Sequence, residues 1–104
     1  MKSRIAIILL LFLTGSVIYA QQTLYETMNH DDLTREYIVY IPISYDGSSA
    51  VPLLFNFHGW TMSADDQMTW AADMRPIADT ANFILVYPQG SLFDGNTHWN
   101  VGAR

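Results

Sequence analysis

Residues 52–59, Pro52-Leu53-Leu54-Phe55-Asn56-Phe57-His58-Gly59, decide how this chain is read. Apart from Asn56 the stretch is apolar at odd and even positions alike. A strand with one wet face alternates, whereas a strand covered on both faces does not. The stretch therefore predicts a central strand that stops at His58-Gly59, where the chain must turn. Phe83-Ile84-Leu85-Val86-Tyr87 is a second run of the same kind, closed by Pro88-Gln89-Gly90. Between the two, Ser63-Ala64-Asp65-Asp66 fits a capping box with two acids in the first turn, where the helix dipole favours them. Met68, Ala71 and Ala72, and the pair Trp70 and Met74, continue at helical spacing. Pro76 opens a second short helix, Pro76 to Ala81, and Asn82 is its stop. Strand, helix and strand over residues 52–87 make a βαβ unit with parallel strands. The predicted fold class is α/β, a three-layer architecture on a mostly parallel sheet.

Upstream, Leu24 to Met28 reads as a short strand and Asn29-His30-Asp31-Asp32 as a turn-rich break. Arg35 to Ile41 is a strand of Tyr, Ile and Val that Pro42 ends, and the two strands suit a hairpin. Tyr45 to Ser49 is a loop. After Gly90, residues 91–104 read as loop.

The chain has 104 residues, 50% of them hydrophobic and 13% aromatic, and no cysteine. Half-apolar composition excludes disorder, and the lack of Cys excludes disulfide scaffolds, Cys-ligated zinc and cysteine nucleophiles. Residues 1–20 read as a secretory signal peptide: Lys2 and Arg4, the apolar run Ile5 to Leu13, then a break at Thr14-Gly15-Ser16 and small Ala20. The stretch Ile5 to Ala20 is 16 residues, shorter than the roughly 20 a span needs, so no stable membrane anchor is expected. Residues 21–104 keep three Arg, no Lys and ten acids, a net charge of −7. An acidic exported chain of this kind does not seek nucleic acid, and its expected location is extracellular or periplasmic. Two double-faced strands with a single crossover leave a sheet half covered, so residues 21–104 are expected to be the N-terminal portion of a larger domain.

In open α/β sheets the ligand crevice lies beyond the carboxyl ends of the strands. Gly59 and Gly90 fall at two such ends, so the loops 58–64 and 88–104 are expected to border one site. A glycine there turns the backbone so that following N–H groups point into the crevice, as an oxyanion hole requires.

Phe55-Asn56-Phe57-His58-Gly59-Trp60-Thr61-Met62-Ser63-Ala64-Asp65-Asp66 resembles the signature region of secreted polyhydroxybutyrate depolymerases and feruloyl-esterase-type enzymes, which are α/β-hydrolases. Arg35-x-Tyr37-x-Val39-Tyr40-x-Pro42, Val86-Tyr87-Pro88-Gln89-Gly90 and Trp99-Asn100-x-Gly102 are similar in the same order, so the resemblance spans residues 35–102. It implies a Ser-His-Asp hydrolase of carboxylic esters, acting on a polyester or an acylated polysaccharide without metal or organic cofactor. It further implies that the backbone N–H of Trp60, helped by that of Thr61, forms half of the oxyanion hole, with Gly59 and Trp99 beside the substrate. Many members of the family carry Cys at the position of Trp60, a swap that a main-chain donor tolerates. No Gly-x-Ser-x-Gly occurs in residues 1–104, so the triad is expected beyond Arg104, and residues 1–104 alone are expected to be inactive.

Simpler roles stand beside these. Chain order puts the triad His last, so His58 is expected to hydrogen-bond locally rather than act as base. His98 suits either substrate contact or a solvent-facing loop, and Trp99 either an acyl group or core packing. Asp65 and Asp66 are explained by the helix dipole, and the three isolated His show no metal-ligand spacing. A non-enzymatic platform of Trp60, Trp99 and tyrosines for polysaccharide or polyester is the second reading. A prolyl-peptidase-like hydrolase is the third.

Overall fold

The computed structural model describes residues 20–102. The signal-peptide reading falls on residues 1–20 and, Ala20 excepted, lies outside the described residues.

Strands β1 (Gln22–His30) and β2 (Leu33–Ile41) pair antiparallel along their whole length, from Gln22 opposite Ile41 to His30 opposite Leu33. The turn is Asp31-Asp32, with φ of 50° and 59°. Two consecutive left-handed residues give the hairpin turn whose twist matches its strands, and Asp tolerates that conformation better than most side chains. The expected hairpin therefore forms, with longer strands than the Tyr, Ile and Val content marked out. Strand β3 (Leu53–Phe55) and strand β4 (Ile84–Pro88) complete a four-stranded sheet in the order β1-β2-β4-β3. β2 and β4 run antiparallel, while β3 and β4 run parallel, with Leu54 opposite Leu85. Strands β5 (Ser91–Phe93) and β6 (Asn96–His98) form a separate antiparallel hairpin around Asp94-Gly95.

Helix α1 is a single turn, Ala64–Asp66, that widens into a π-helical segment, Gln67–Ala71. Its capping box is the expected one: Ser63 Oγ accepts the Asp66 amide at 3.0 Å, and the Ser63 amide donates to the Asp66 carboxylate at 2.9 Å. Asn56, the one polar residue of its run, clasps the wide turn. Its Nδ2 donates to the Ala72 carbonyl at 3.0 Å, and its Oδ1 accepts from Gln67 Nε2 at 2.8 Å. Helix α2 covers Arg75–Ala81, with Pro76 in its first turn and Asn82 as a left-handed cap at φ 55°.

The expected three-layer, mostly parallel α/β-hydrolase architecture is not what these residues build. They form a small β-rich domain of two sheets with two short helical stretches, and three of its four strand pairings are antiparallel. The parallel pair with its helical crossover is present, but it is three residues long beside a nine-residue hairpin. The difference lies in β3. Its two-sided apolarity suggested burial between two helical layers, yet β3 is a short edge strand. Leu53 and Phe55 are 54% and 53% exposed. Only Leu54, pointing to the opposite face, packs against the core of Ile38, Tyr40, Leu85 and Tyr87 with Ala64, Met68 and Ala78 from the helices. Residues 91–98, read as loop, form a hairpin instead. The signal was Asp94-Gly95, with φ of 49° and 75°, a dipeptide suited to a two-residue hairpin turn.

Candidate functional site

Beyond the C-terminal ends of β3 and β4 the chain makes two loops, and His58 ties them together. The ring is buried, 2% exposed. Its Nε2 accepts the Gly90 amide at 2.9 Å and its Nδ1 lies 2.8 Å from the Gly59 carbonyl. An acceptor at Nε2 requires the proton on Nδ1, which then donates to Gly59. Both ring nitrogens are thus engaged within the fold, the local role that chain order implied. Trp99 Nε1 donates to the His58 carbonyl at 2.8 Å, and its ring meets Phe57 edge-on with centroids 4.9 Å apart. Gln89 joins the same junction, its Oε1 accepting the Ala64 amide at 2.8 Å. The two loops, expected to border one site, meet one another in these contacts.

The four sequence-predicted site residues separate into different roles. Residues 59–62 form a tight turn, closed by the Met62 amide on the Gly59 carbonyl at 3.2 Å. Trp60 and Thr61 are its central residues, and Thr61 has a φ of 66°. That combination belongs to a turn that normally takes Gly or Asn at its third position. The Thr61 amide donates to the Thr97 carbonyl at 3.0 Å and is therefore committed. The Trp60 amide has no hydrogen-bond acceptor among the described residues, and Trp60 is 58% exposed. Of the two expected oxyanion donors, only Trp60 is left available. Gly59 lies close to the Met62 side chain: a Cβ at Gly59 would come 3.1 Å from Met62 Sδ.

A concavity of about 670 Å³ opens on the exposed face of the sheet, where Leu53, Phe55, Val86, His98 and Trp99 help line it. Trp99 is thus both packed and cavity-lining. Gly59, Trp60 and Thr61 do not line it; the Trp60 ring lies 6.3 Å, centroid to centroid, from that of His98, which does. The Phe93 ring is also near His98, with centroids 5.3 Å apart. Arg35, which also lines it, donates to the Ser91 hydroxyl.

Charge at the junction is modest. The Ser63 amide and hydroxyl hold the Asp66 carboxyl below the ordinary carboxylate range. On the covered face, burial and the hydrogen bond to Asp79 push the Tyr40 phenol up to about 12. Among the described residues no three His, Asp or Glu side chains gather as a metal site would require, and no helix is long and apolar enough to cross a membrane.

Thr97 was missed at the sequence level because its segment read as loop. Its hydroxyl donates to the Met62 carbonyl at 2.6 Å, so it holds the 59–62 turn from the far side. Only the Asp94-Gly95 turn signal could have set it opposite Leu92 and next to this loop. No protein-family model matches the chain, and no curated protein matches it.

Proposed function

We propose that this chain supplies the oxyanion-stabilising loop of a secreted serine-type carboxylic ester hydrolase acting on a polyester or an acylated polysaccharide. The observation that carries the reading is the Trp60 amide, which has no acceptor among the described residues, in a turn whose neighbouring amide is bonded. Four motif segments similar to those of polyhydroxybutyrate depolymerases and feruloyl esterases, within residues 35–102, support it. In such a reaction a serine oxygen adds to the ester carbonyl and the carbonyl oxygen gains negative charge. A fixed N–H aimed at that oxygen stabilises it more in the transition state than in the ground state. One such donor is worth about 10²–10³ in kcat. The reading needs a nucleophile outside residues 1–104, which hold no Gly-x-Ser-x-Gly. No metal or organic cofactor enters this reaction.

The second reading, a non-enzymatic platform for polysaccharide or polyester, is favoured by Trp60 and Phe93, 58% and 57% exposed, both with rings near His98.

Assays on the protein translated from the complete gene separate the readings. Turnover of short-chain p-nitrophenyl esters, abolished by a serine-directed fluorophosphonate, supports the hydrolase. Faster turnover of an aminoacyl anilide moves the assignment to a peptidase. No turnover, together with tryptophan quenching by a soluble polysaccharide or polyester oligomer, establishes the platform.

A further inference from the structure

Thr61 is a β-branched residue at φ 66°. In that region its Cβ crowds the backbone, so the conformation persists only where surrounding contacts over-determine it. The turn's own closing bond, 3.2 Å from the Met62 amide to the Gly59 carbonyl, is the longest one at this turn. His58 Nδ1 holds the Gly59 carbonyl at 2.8 Å, and two further bonds both come from Thr97. Its carbonyl accepts the Thr61 amide at 3.0 Å, and its hydroxyl donates to the Met62 carbonyl at 2.6 Å. The first bond pins the peptide plane before Thr61, and the second pins the plane after Met62. Thr97 in turn sits in β6, paired with Leu92 across the Asp94-Gly95 hairpin.

We propose that Thr97 is the positioning residue of the 59–62 turn: it clamps Thr61 in the left-handed conformation and thereby fixes the direction of the Trp60 amide. With the 60–61 peptide pinned, only the φ and ψ of Trp60 itself lie between that plane and the Trp60 N–H. The hairpin β5–β6 is then a brace for the turn. The catalytic consequence rests on the ester-hydrolase reading, whereas the clamp itself does not.

A stability cycle tests the clamp. Thr97→Val removes the hydroxyl and keeps the shape. Thr61→Gly removes the strain, since Gly accepts a positive φ freely. Thr97→Val is expected to lower Tm by several degrees in the parent and by clearly less in the Thr61→Gly background, because contacting residues couple. In the parent it is also expected to speed amide exchange at Thr61 about tenfold or more through local opening. Equal Tm losses in both backgrounds overturn the proposal. If Thr97→Val folds only together with Thr61→Gly, the coupling is established directly. If neither folds, Thr97→Ser decides, since it keeps the hydroxyl. Parental exchange at Thr61 then supports the clamp, and accelerated exchange overturns it. In the protein from the complete gene, Thr97→Val should lower kcat for p-nitrophenyl esters about tenfold or more with KM unchanged, and Thr97→Ser should restore it. Absence of ester turnover in the parent defeats the hydrolase reading and leaves the clamp to the stability cycle.

Discussion

The Gly90 amide donates to His58 Nε2 at 2.9 Å, and this bond joins the loop after β3 to the loop after β4. Position 90 also has no room for a side chain: a Cβ there would collide with the His98 carbonyl and come 3.1 Å from the His58 ring. The bond and the close approach depend on each other, because only a bare backbone brings this amide to a buried imidazole.

Gly90→Ala should therefore destabilise the fold by about 1–3 kcal/mol through overpacking against backbone. Urea denaturation followed by tryptophan fluorescence measures it, and an unchanged midpoint would show that the loops part without cost.

His58→Ala should cost about 1–3 kcal/mol from the orphaned Gly90 amide alone, plus the loss from the cavity left by a ring that is 2% exposed. The same denaturation experiment reads it. Exchange at the Gly90 amide should rise with it.

Tyr40 predicts an alkaline limit. Its hydroxyl donates to the Asp79 carboxylate at 2.8 Å, and its phenol is raised to about 12 from an ordinary 10.0. Between those values the unfolded chain has lost the proton and the folded one keeps it. Stability is thus fully present below pH 10 and falls as pH rises through about 12. Melting temperatures taken across that window should decline, and Tyr40→Phe should remove its share of the decline.

Ser63 predicts the opposite limit. Ser63 holds the Asp66 carboxyl below its ordinary 3.8, so that contribution is present above this value and is lost as pH falls through the depressed one. Ser63→Ala removes the side-chain cap at about 1 kcal/mol. Measured between pH 5 and pH 2, the variant should lose less stability on acidification than the parent, roughly by the part the hydroxyl supplied.

Much of the local structure was legible in the residues. The Ser63 capping box, the Asn82 stop, the Pro76 helix start and the β1–β2 hairpin each rest on short-range chemistry that sequence displays directly. The architecture was not. Leu53 and Phe55 look like core residues in sequence, but which neighbours cover a strand is a property of the whole sheet, and here they stand half exposed. The site was legible in part. His58 and the meeting of two loops followed from strand ends and chain order, whereas the Thr61 amide is bonded to Thr97 from a hairpin that read as loop. A long-range bond of this kind, between residues 36 positions apart, leaves no periodic trace.

The π-helical segment Gln67–Ala71 has a further consequence. A wide turn of this sort is equivalent to an α-helix that has absorbed one surplus residue. The helix ends where the wide turn does, at Ala72, whose φ of −152° and ψ of 67° are not helical. Asn56 spans that wide turn, one amide group bonded to both of its ends. Substitution and deletion become different kinds of change here. An exchanged side chain at Thr69 alters one surface, while its removal would shorten the wide turn and pull its two ends off the Asn56 amide.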